Sequence, residues 1–304
     1  MKKNLKILVA TDYSEAASNT VKYALQFALE THSEITFLHV NESFKVYPKE
    51  FSSIEKLEHV SVEFETRELE QHVEEISNVL QNDVKKITIK YFVRQGKASQ
   101  VICEEAIIQN MDIIFVGTHG NTSFHQVFLG SHTWDVINQA EIPVLAIPKD
   151  AVYSGIHHFL FATEYRSSEL PAIKFLLKWN KYFKSELVIF HVCNDVFSEE
   201  FEAELLTKFE NDIKNNLPNE KINIRIIYND DLVTGINTFC SKASPGWLIM
   251  CPEKSHLFEK VFNPLMSTTK KMSFYTHVPL LTIPDYDNPE NQNFWNKIKE
   301  ESAL

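Results

Sequence analysis

Short apolar runs alternate along the first half of the chain with segments in which apolar residues recur every three or four positions. The runs are rich in Ile, Val, Leu and Phe and predict buried strands; they cover residues 5–11, 34–40, 86–93, 112–116 and 143–147. The segments between them predict amphipathic helices, with faces at residues 17–28, 69–80, 98–109 and 131–139. This alternation predicts an α/β domain in which helices cover both faces of a parallel sheet.

The same order of patterns returns once, about half the chain length later. ATDY at residues 10–13 is matched by ATEY at 162–165, and HV at 39–40 is matched by HV at 191–192. Both pairs have the same offset of 152 residues. A repeat of this size indicates a duplicated domain, because solenoid units are much shorter.

The repeat predicts two domains of one type followed by a tail. We place the first domain at residues 1–150, the second at 156–285 and the tail at 286–304. The tail loses the alternating pattern and predicts a loop followed by a short surface helix.

Glycine is scarce and unevenly placed. The chain has 7 glycines in 304 residues, and three of them are Gly117, Gly120 and Gly130. This window leads from the predicted fourth strand to the predicted fourth helix, which Ser131 is suited to cap. Glycine lets the backbone approach a ligand, and the N–H groups at a helix start attract anions. The window therefore predicts an anion site.

The spacing of the window is G-x2-G-x9-G-S. This differs from the Walker P-loop, which needs GxxxxGK[ST], and from the GxGxxG dinucleotide turn. The window contains no lysine. We therefore expect backbone N–H groups, hydroxyls and a divalent cation to meet any phosphate charge.

Charge and cysteine content exclude several classes of protein. The net charge is -11, from 30 basic and 41 acidic residues, which argues against a basic face for nucleic acid or anionic lipid. The 4 cysteines form no CxxC pair, so neither a disulfide framework nor a zinc site is expected. The first apolar run reaches Asp12 within a few residues and is too short for a secretory signal. With no run near the length of a membrane span, we expect a cytoplasmic protein.

Asp12 after the first strand, together with the glycine window and Ser131, resembles the universal stress protein family over the whole chain, as two tandem copies. The resemblance implies Rossmann-like domains of the adenine nucleotide alpha hydrolase-like type. Each would be an open five-stranded parallel sheet of order 3-2-1-4-5 with helices on both faces. ATP, with Mg, would bind in the crevice at the switch point of the sheet. The resemblance also implies pairing of the two domains through their fifth strands, and a homodimer of chains.

Roles of individual residues follow from the same resemblance. Asp12 would reach the ribose or a metal ion, and the Val40 backbone would contact adenine. The glycine window, with Ser131 and Thr133, would wrap the phosphates. The expected site comprises Thr11, Asp12, Val40, Val116, Gly117, His119, Gly120, Gly130, Ser131, His132 and Thr133. His132 departs from the family pattern, which has a small apolar residue there.

The second copy has lost this pattern. Cys251 stands for the first glycine and Glu164 for Asp12, while Lys254, Pro264 and Leu265 replace the remaining glycines and the serine. Proline has no N–H to offer a ligand. We therefore expect the second copy to keep the fold without binding nucleotide at this place.

Other interpretations remain open from the residues alone. Gly117 could serve a tight turn without a ligand, and Asp12 could cap the first helix. His39 and His191 fit packed structural roles better than catalytic ones. A non-nucleotide interaction module, a binder of small anionic metabolites, or a slow ATP hydrolase are alternatives to an ATP-binding stress or signalling protein. Catalysis is not expected, because neither a Walker lysine nor an evident base is found.

Overall fold

The computed structural model of the protein describes residues 4–42, 54–80, 84–118, 131–193, 199–218, 220, 222–243, 246–251 and 278–303. The chain divides into two compact units: within the described residues, the first extends to Tyr153 and the second begins at Ser154.

The first unit contains five strands, which lie in the order β3-β2-β1-β4-β5. The strands are β1 (Lys6–Thr11), β2 (Glu34–Asn41), β3 (Ile89–Gln95), β4 (Ile113–Gly117) and β5 (Val144–Ile147). All neighbouring pairs are parallel, with Thr11 opposite His39 and Ile7 opposite Ile113. The predicted α/β class and the order 3-2-1-4-5 are confirmed.

Four helices of the first unit cover the two faces of its sheet. They are α1 (Glu15–Thr31), α2 (Ile54–Val79), α3 (Ala98–Ile108) and α4 (Ser131–Gln139). Helix α1 packs with α2, and α3 packs with α4. The face of α1 that the sequence predicts is buried against the sheet, where the rings of Phe27 and Phe115 lie 5.5 Å apart.

The second unit repeats this arrangement. Its strands, in the order β8-β7-β6-β9-β10, are β6 (His158–Ala162), β7 (Glu186–Cys193), β8 (Ile224–Tyr228), β9 (Trp247–Met250) and β10 (Leu280–Thr282). Its described helices include α5 (Leu170–Phe183), α6 (Glu199–Asn216) and α7 (Leu232–Ala243). The neighbouring strands within this unit are also parallel.

A last helix, α8 (Gln292–Ala303), follows the second sheet. The sequence predicts a short surface helix here, but Phe294 and Trp295 are only 6% and 2% exposed. The Phe294 ring lies 5.7 Å from that of Phe175 on α5. The tail is therefore part of the core of the second unit.

All four cysteines are free and buried. Burial raises the pKa of Cys103 and of Cys240 to about 12, so both stay protonated near neutral pH. Among the described residues, no helix is long and apolar enough to cross a membrane.

Candidate functional site

A crevice opens in the first unit at the carboxyl ends of β1, β2 and β4, and its volume is about 320 Å³. Strand order reverses between β1 and β4, so this is the switch point of the sheet, where open α/β proteins place their ligands. Eighteen residues line it: Ala10, Thr11, Asp12, Ser14, Ala16, Ala17, Leu38, His39, Val40, Asn41, Glu42, Ala98, Ile102, Val116, Gly117, His132, Thr133 and Val136.

The turn after β1 positions Asp12 at the rim. Asp12 is exposed, and its Oδ1 accepts a hydrogen bond from the N–H of Ser14 at 3.0 Å. Ser14, not Asp12, caps α1, because its hydroxyl accepts the N–H of Ala17 at 3.2 Å. The capping role considered for Asp12 therefore falls to Ser14, and the Asp12 carboxylate lies beside the crevice.

His39 stabilises the same turn by a hydrogen bond to its backbone. Its Nδ1 lies 2.9 Å from the carbonyl oxygen of Thr11, so Nδ1 carries the proton and donates it. Its ring is 4.6 Å from that of Tyr13, which has a left-handed backbone with φ of 63°. Burial, assisted by Glu68 and Glu65, raises the pKa of Tyr13 to about 12. This histidine is a packed structural residue, as the sequence suggests.

The second unit preserves this arrangement. The rings of Tyr165 and His191 are 4.2 Å apart, and the Nδ1 of His191 donates to the carbonyl of Thr163 at 2.7 Å. The matched ATDY and ATEY segments thus form the same turn in both units, with the same histidine–carbonyl hydrogen bond.

Gly117 has a packing reason of its own. A Cβ at this position would lie 2.9 Å from the carbonyl carbon of Ala16, closer than real side chains come. The Thr133 hydroxyl donates to the Gly117 carbonyl at 2.8 Å, which ties the start of α4 to the end of β4. Absence of a side chain at Gly117 therefore lets α1 approach the sheet, and the crevice opens beside this contact.

Seven of the predicted site residues line the crevice together: Thr11, Asp12, Val40, Val116, Gly117, His132 and Thr133. Ser131 begins α4, as expected from its place after the glycine window. The expected contacts of His119, Gly120 and Gly130 lie outside the described residues. Sequence reasoning missed Ala17, Glu42 and Ala98, which also line the crevice.

Glu42 brings a second carboxylate to the crevice. Its Oε1 accepts the N–H of Ala98 at the start of α3, at 2.7 Å, and lies 4.0 Å from Nδ1 of His132. With Asp12, the described lining holds two carboxylates and includes neither lysine nor arginine. Within the described part of the chain, no group of three His, Cys, Asp or Glu side chains could hold a metal ion. A cation here would need further ligands from a bound molecule or water.

Large charged side chains occupy the corresponding place in the second unit. Leu8 pairs with Ile114 and its counterpart Leu160 pairs with Leu248, so Cys251 stands where Gly117 does. By the offset of the repeat, Arg166 replaces Ser14 and Glu169 replaces Ala17.

These two side chains form an ion pair in which the carboxylate is buried and the Arg166 side chain is 20% exposed. An Nη2–Oε1 distance of 3.2 Å joins Arg166 to Glu169, and Nη2 also donates to the Cys251 carbonyl at 3.3 Å. The Glu169 side chain is 2% exposed and accepts the Thr163 hydroxyl at 2.5 Å. Burial raises the pKa of Glu169, while the charge of Arg166 opposes that rise. Where the first unit has a crevice lined by small residues, the second has an ion pair.

The fold and the crevice define a doubly wound α/β protein with an open switch point in its first unit. The family model of the universal stress proteins matches residues 3–148. The chain belongs to the universal stress protein family through this half. Two curated relatives from Methanocaldococcus jannaschii are also universal stress proteins. The universal stress protein MJ0577 is 29% identical over 153 residues, covering 47% of this chain and 94% of the relative. The universal stress protein MJ0531 is 28% identical over 146 residues, covering 47% and 82%.

Solved structures extend the similarity of fold to both units. A universal stress protein from Archaeoglobus fulgidus has a TM-score of 0.61 at 18% identity. The match covers 93% of this chain and 97% of that one. At this identity the match concerns the fold alone.

Proposed function

We propose that the protein is a stress-response or signalling protein that binds one adenine nucleotide, ATP with Mg²⁺, in the crevice of its first unit. The observation that carries the proposal is the crevice itself, which opens at the switch point and brings together seven residues expected at the site. Its volume of about 320 Å³ is within the usual range for small-molecule sites. The second unit supplies no equivalent site in this proposal.

The carbonyl of Val40 offers a specific contact for the base. Glu34 donates its N–H to the carbonyl of Leu5, the residue before β1, so alternate residues of β2, Val40 included, direct their backbone groups toward β1. Strand β1 ends at Thr11, and the next N–H, that of Tyr13, is donated to the Thr11 hydroxyl. We infer that the Val40 carbonyl faces the crevice, where it can accept the exocyclic amino group of adenine.

The phosphates would lie toward the start of α4. The first N–H groups of a helix have no partner within that helix and favour an anion. Ser131 opens α4 beside the carboxyl end of β4, and Thr133 anchors this turn to Gly117. His119, Gly120 and Gly130 are proposed to complete the contact through their backbone.

The carboxylates of the crevice explain why a divalent cation belongs to the proposal. Asp12 and Glu42 both repel a triphosphate, and the described lining includes no lysine or arginine to offset them. Mg²⁺ prefers carboxylate, phosphate and water oxygens. Asp12 at the exposed rim is the side chain we propose to reach the ion, directly or through water.

We propose a bound ligand rather than a substrate that turns over. The described lining contributes no lysine or arginine to stabilise a transferring phosphoryl group. Nucleotide would then favour one conformation of the protein through its differential affinity.

Calorimetric titration of the full chain tests this function. We expect binding of ATP with Mg²⁺, and a loss of about tenfold or more without Mg²⁺, because like charges at close range then repel unscreened. AMP, with fewer charges, should depend less on Mg²⁺. Phosphate release over hours should stay at the level of buffer. No heat and no thermal shift with any adenine nucleotide would count against the proposal.

Two substitutions that copy the second unit test where the site lies. Ser131→Leu changes the first residue of α4, and Gly130→Pro removes an N–H; each is expected to abolish detectable binding. Asn138→Ser, at the exposed far end of α4, is the matched control and should bind normally. Normal binding by both site variants would place the nucleotide elsewhere.

The Glu42→Gln variant tests the effect of the negative charge of Glu42 on nucleotide binding while keeping its hydrogen bond to Ala98. The amide oxygen of glutamine can still accept the N–H of Ala98, so α3 keeps its contact while the negative charge is lost. We expect affinity for ATP without Mg²⁺ to rise about three- to fivefold, and the dependence on Mg²⁺ to fall. Glu15→Gln, outside the crevice, should change neither value. An unchanged affinity would show that the phosphates do not lie near Glu42.

A further inference from the structure

His132 is the second residue of α4 and lines the crevice of the first unit. Its side chain is 55% exposed, and its Nδ1 lies 4.0 Å from Oε1 of Glu42, the residue that follows β2. The same oxygen accepts the N–H of Ala98 at the start of α3, and Glu42 and Ala98 both line the crevice. The imidazole therefore lies at the rim of the crevice, where β2, α3 and α4 meet.

The first turn of α4 is fixed beside the end of β4. Ser131 begins the helix, and the Thr133 hydroxyl donates to the Gly117 carbonyl at 2.8 Å. His132 lies between these two residues, so its side chain belongs to the turn at which the nucleotide phosphates are proposed to bind. Any role of His132 toward a phosphate rests on that proposed function.

The charged groups around His132 have both signs. Glu42 faces it from the end of β2, and Asp12, which follows β1, lines the same crevice. On α4 itself, Asp135 stands one turn further along and pairs with Lys97, at the start of α3, at 3.7 Å. Strand β5, which also packs against α4, carries no charged residue. The helix start disfavours a positive charge on the imidazole, whereas the nearby carboxylates favour it.

Histidine is the side chain whose charge ordinarily changes between pH 5 and 8. Two histidines, His39 and His132, line the crevice in the described part of the chain. His39 is engaged by the Thr11 carbonyl and by the ring of Tyr13, as a packed residue. His132 is exposed at the helix start, so its charge can act on a ligand directly. Because the described lining includes neither lysine nor arginine, a proton on His132 changes the electrostatic balance of the crevice.

We propose that His132 is a proton-dependent contact for the nucleotide phosphates, which makes ATP with Mg²⁺ bind more tightly as pH falls. The protonated imidazole donates a charge-assisted hydrogen bond to a phosphate oxygen. The neutral imidazole offers no such attraction, while Asp12 and Glu42 still repel the phosphates. Bound phosphates favour the protonated form, so binding takes up a proton and affinity rises as pH falls. The small apolar residue of the family pattern could not supply this charge.

Calorimetric titration of the full chain with ATP and Mg²⁺ at pH 6 and pH 8 tests the proposal. We expect the wild type to bind about three- to fivefold more tightly at pH 6, the upper range for a charge pair exposed to solvent. His132→Gln keeps a polar side chain without the charge, and at both pH values it should bind as the wild type does at pH 8. His132→Lys is charged at both pH values, and at pH 8 it should bind as the wild type does at pH 6.

Proton uptake gives a second readout, which a merely structural role of His132 would not change. Titrations near pH 7 in two buffers of different ionisation enthalpy should show the wild type taking up about 0.3–0.4 proton more per nucleotide than His132→Gln. Protons taken up by the phosphates are common to both proteins and cancel in this difference.

His32→Asn is the matched control. It removes an exposed histidine of the same unit, at the far end of α1, where the backbone is left-handed with φ of 54° and asparagine is tolerated. This variant should keep the pH dependence and the proton uptake of the wild type.

Two kinds of failure are distinguishable. Nucleotide binding whose pH dependence and proton uptake persist in His132→Gln would overturn the role of His132 and leave the nucleotide site in place. The same holds if the wild type binds equally at the two pH values, or if His132→Lys binds no more tightly than His132→Gln at pH 8. Absence of binding by the wild type at both pH values would instead overturn the proposed function, and the role of His132 with it.

Discussion

Ala17→Glu is expected to abolish binding of ATP with Mg²⁺ to the first unit. Ala17 lines the crevice beside Gly117, and its counterpart in the second unit is the buried Glu169. The new carboxylate would take up space in the crevice and add a third negative charge to Asp12 and Glu42. Two like charges 4–5 Å apart repel by about 3–4 kcal/mol at an effective dielectric constant of 20, which is a loss of affinity of about a hundredfold or more. Calorimetric titration measures this loss.

A second variant shows that any loss arises in the crevice and not from misfolding. Ser14→Arg/Ala17→Glu copies both residues of the ion pair that fills the second unit. This double variant loses the Ser14 cap of α1, which costs about 1 kcal/mol, so it should still unfold cooperatively a few degrees below the wild type. It should nevertheless fail to bind nucleotide, because the pair occupies the same place. Glu15→Gln lies in the same turn, is exposed and does not line the crevice, so it should bind normally. Retention of affinity by the folded double variant would contradict the proposed site.

Arg166→Met is expected to destabilise the second unit by about 2–4 kcal/mol at pH 8, somewhat below the usual cost of breaking a fully buried ion pair, because the Arg166 side chain is partly exposed. The change leaves the Glu169 carboxylate, which is 2% exposed, without its partner. The hydroxyl of Thr163 and the N–H of Glu164 still donate to it, but neither carries a charge. The buried negative charge is therefore uncompensated.

The effect should depend on pH in a definite direction. Burial raises the pKa of Glu169 above its ordinary value of 4.5, and the charge of Arg166 lowers it. A raised pKa means that the folded state keeps a proton that the unfolded state has lost, so stability falls as pH rises from about 4.5 through the folded-state pKa. Removing Arg166 raises that pKa further. Near pH 5, where Glu169 takes up a proton in the variant, the destabilisation should be about half as large or less.

Urea unfolding followed by tryptophan fluorescence measures this difference. Trp179, Trp247 and Trp295 lie in the second unit and Trp134 in the first, so the signal reports mainly the unit that is changed. The double variant Arg166→Met/Glu169→Gln removes both charges and should recover most of the lost stability at pH 8. A loss in Arg166→Met that is equal at both pH values, or a double variant no more stable than the single one, would show that Glu169 is not the cause.

The strands were predicted well because each buried strand is itself a continuous run of apolar residues in the sequence. β2 was expected at 34–40 and is Glu34–Asn41, since a parallel strand covered on both faces is a continuous apolar run. The third strand was less well placed: it was expected at 86–93 but begins at Ile89, because Val84–Lys86 form a 3-10 turn. Apolar pattern alone does not separate that turn from the strand it precedes.

Site residues were predictable where they end a strand. Asp12 follows β1, while Val40 and Gly117 lie at the carboxyl ends of β2 and β4. The carboxyl ends of parallel strands meet at one edge of the sheet. Glu42 was missed because its role depends on Ala98, a residue 56 positions away that the fold brings to within hydrogen-bond distance. Ala17 was missed because an alanine in a helix has no functional group that suggests a binding role. Its place in the crevice is evident only from its position beside Gly117 in the folded structure.

The sequence by itself determined the repeated α/β order, the strand-end positions of the candidate site, and the loss of the glycine pattern in the second half. These features depend on local periodicity and on residue type, which a chain carries without folding. Tertiary structure decided what fills each switch point: a crevice beside Ala17 in the first unit, and the Arg166–Glu169 ion pair in the second. It also decided that Trp295 is buried in the core of the second unit rather than exposed on a surface helix. The reason is that side-chain volume and charge acquire a role only once distant elements are in contact.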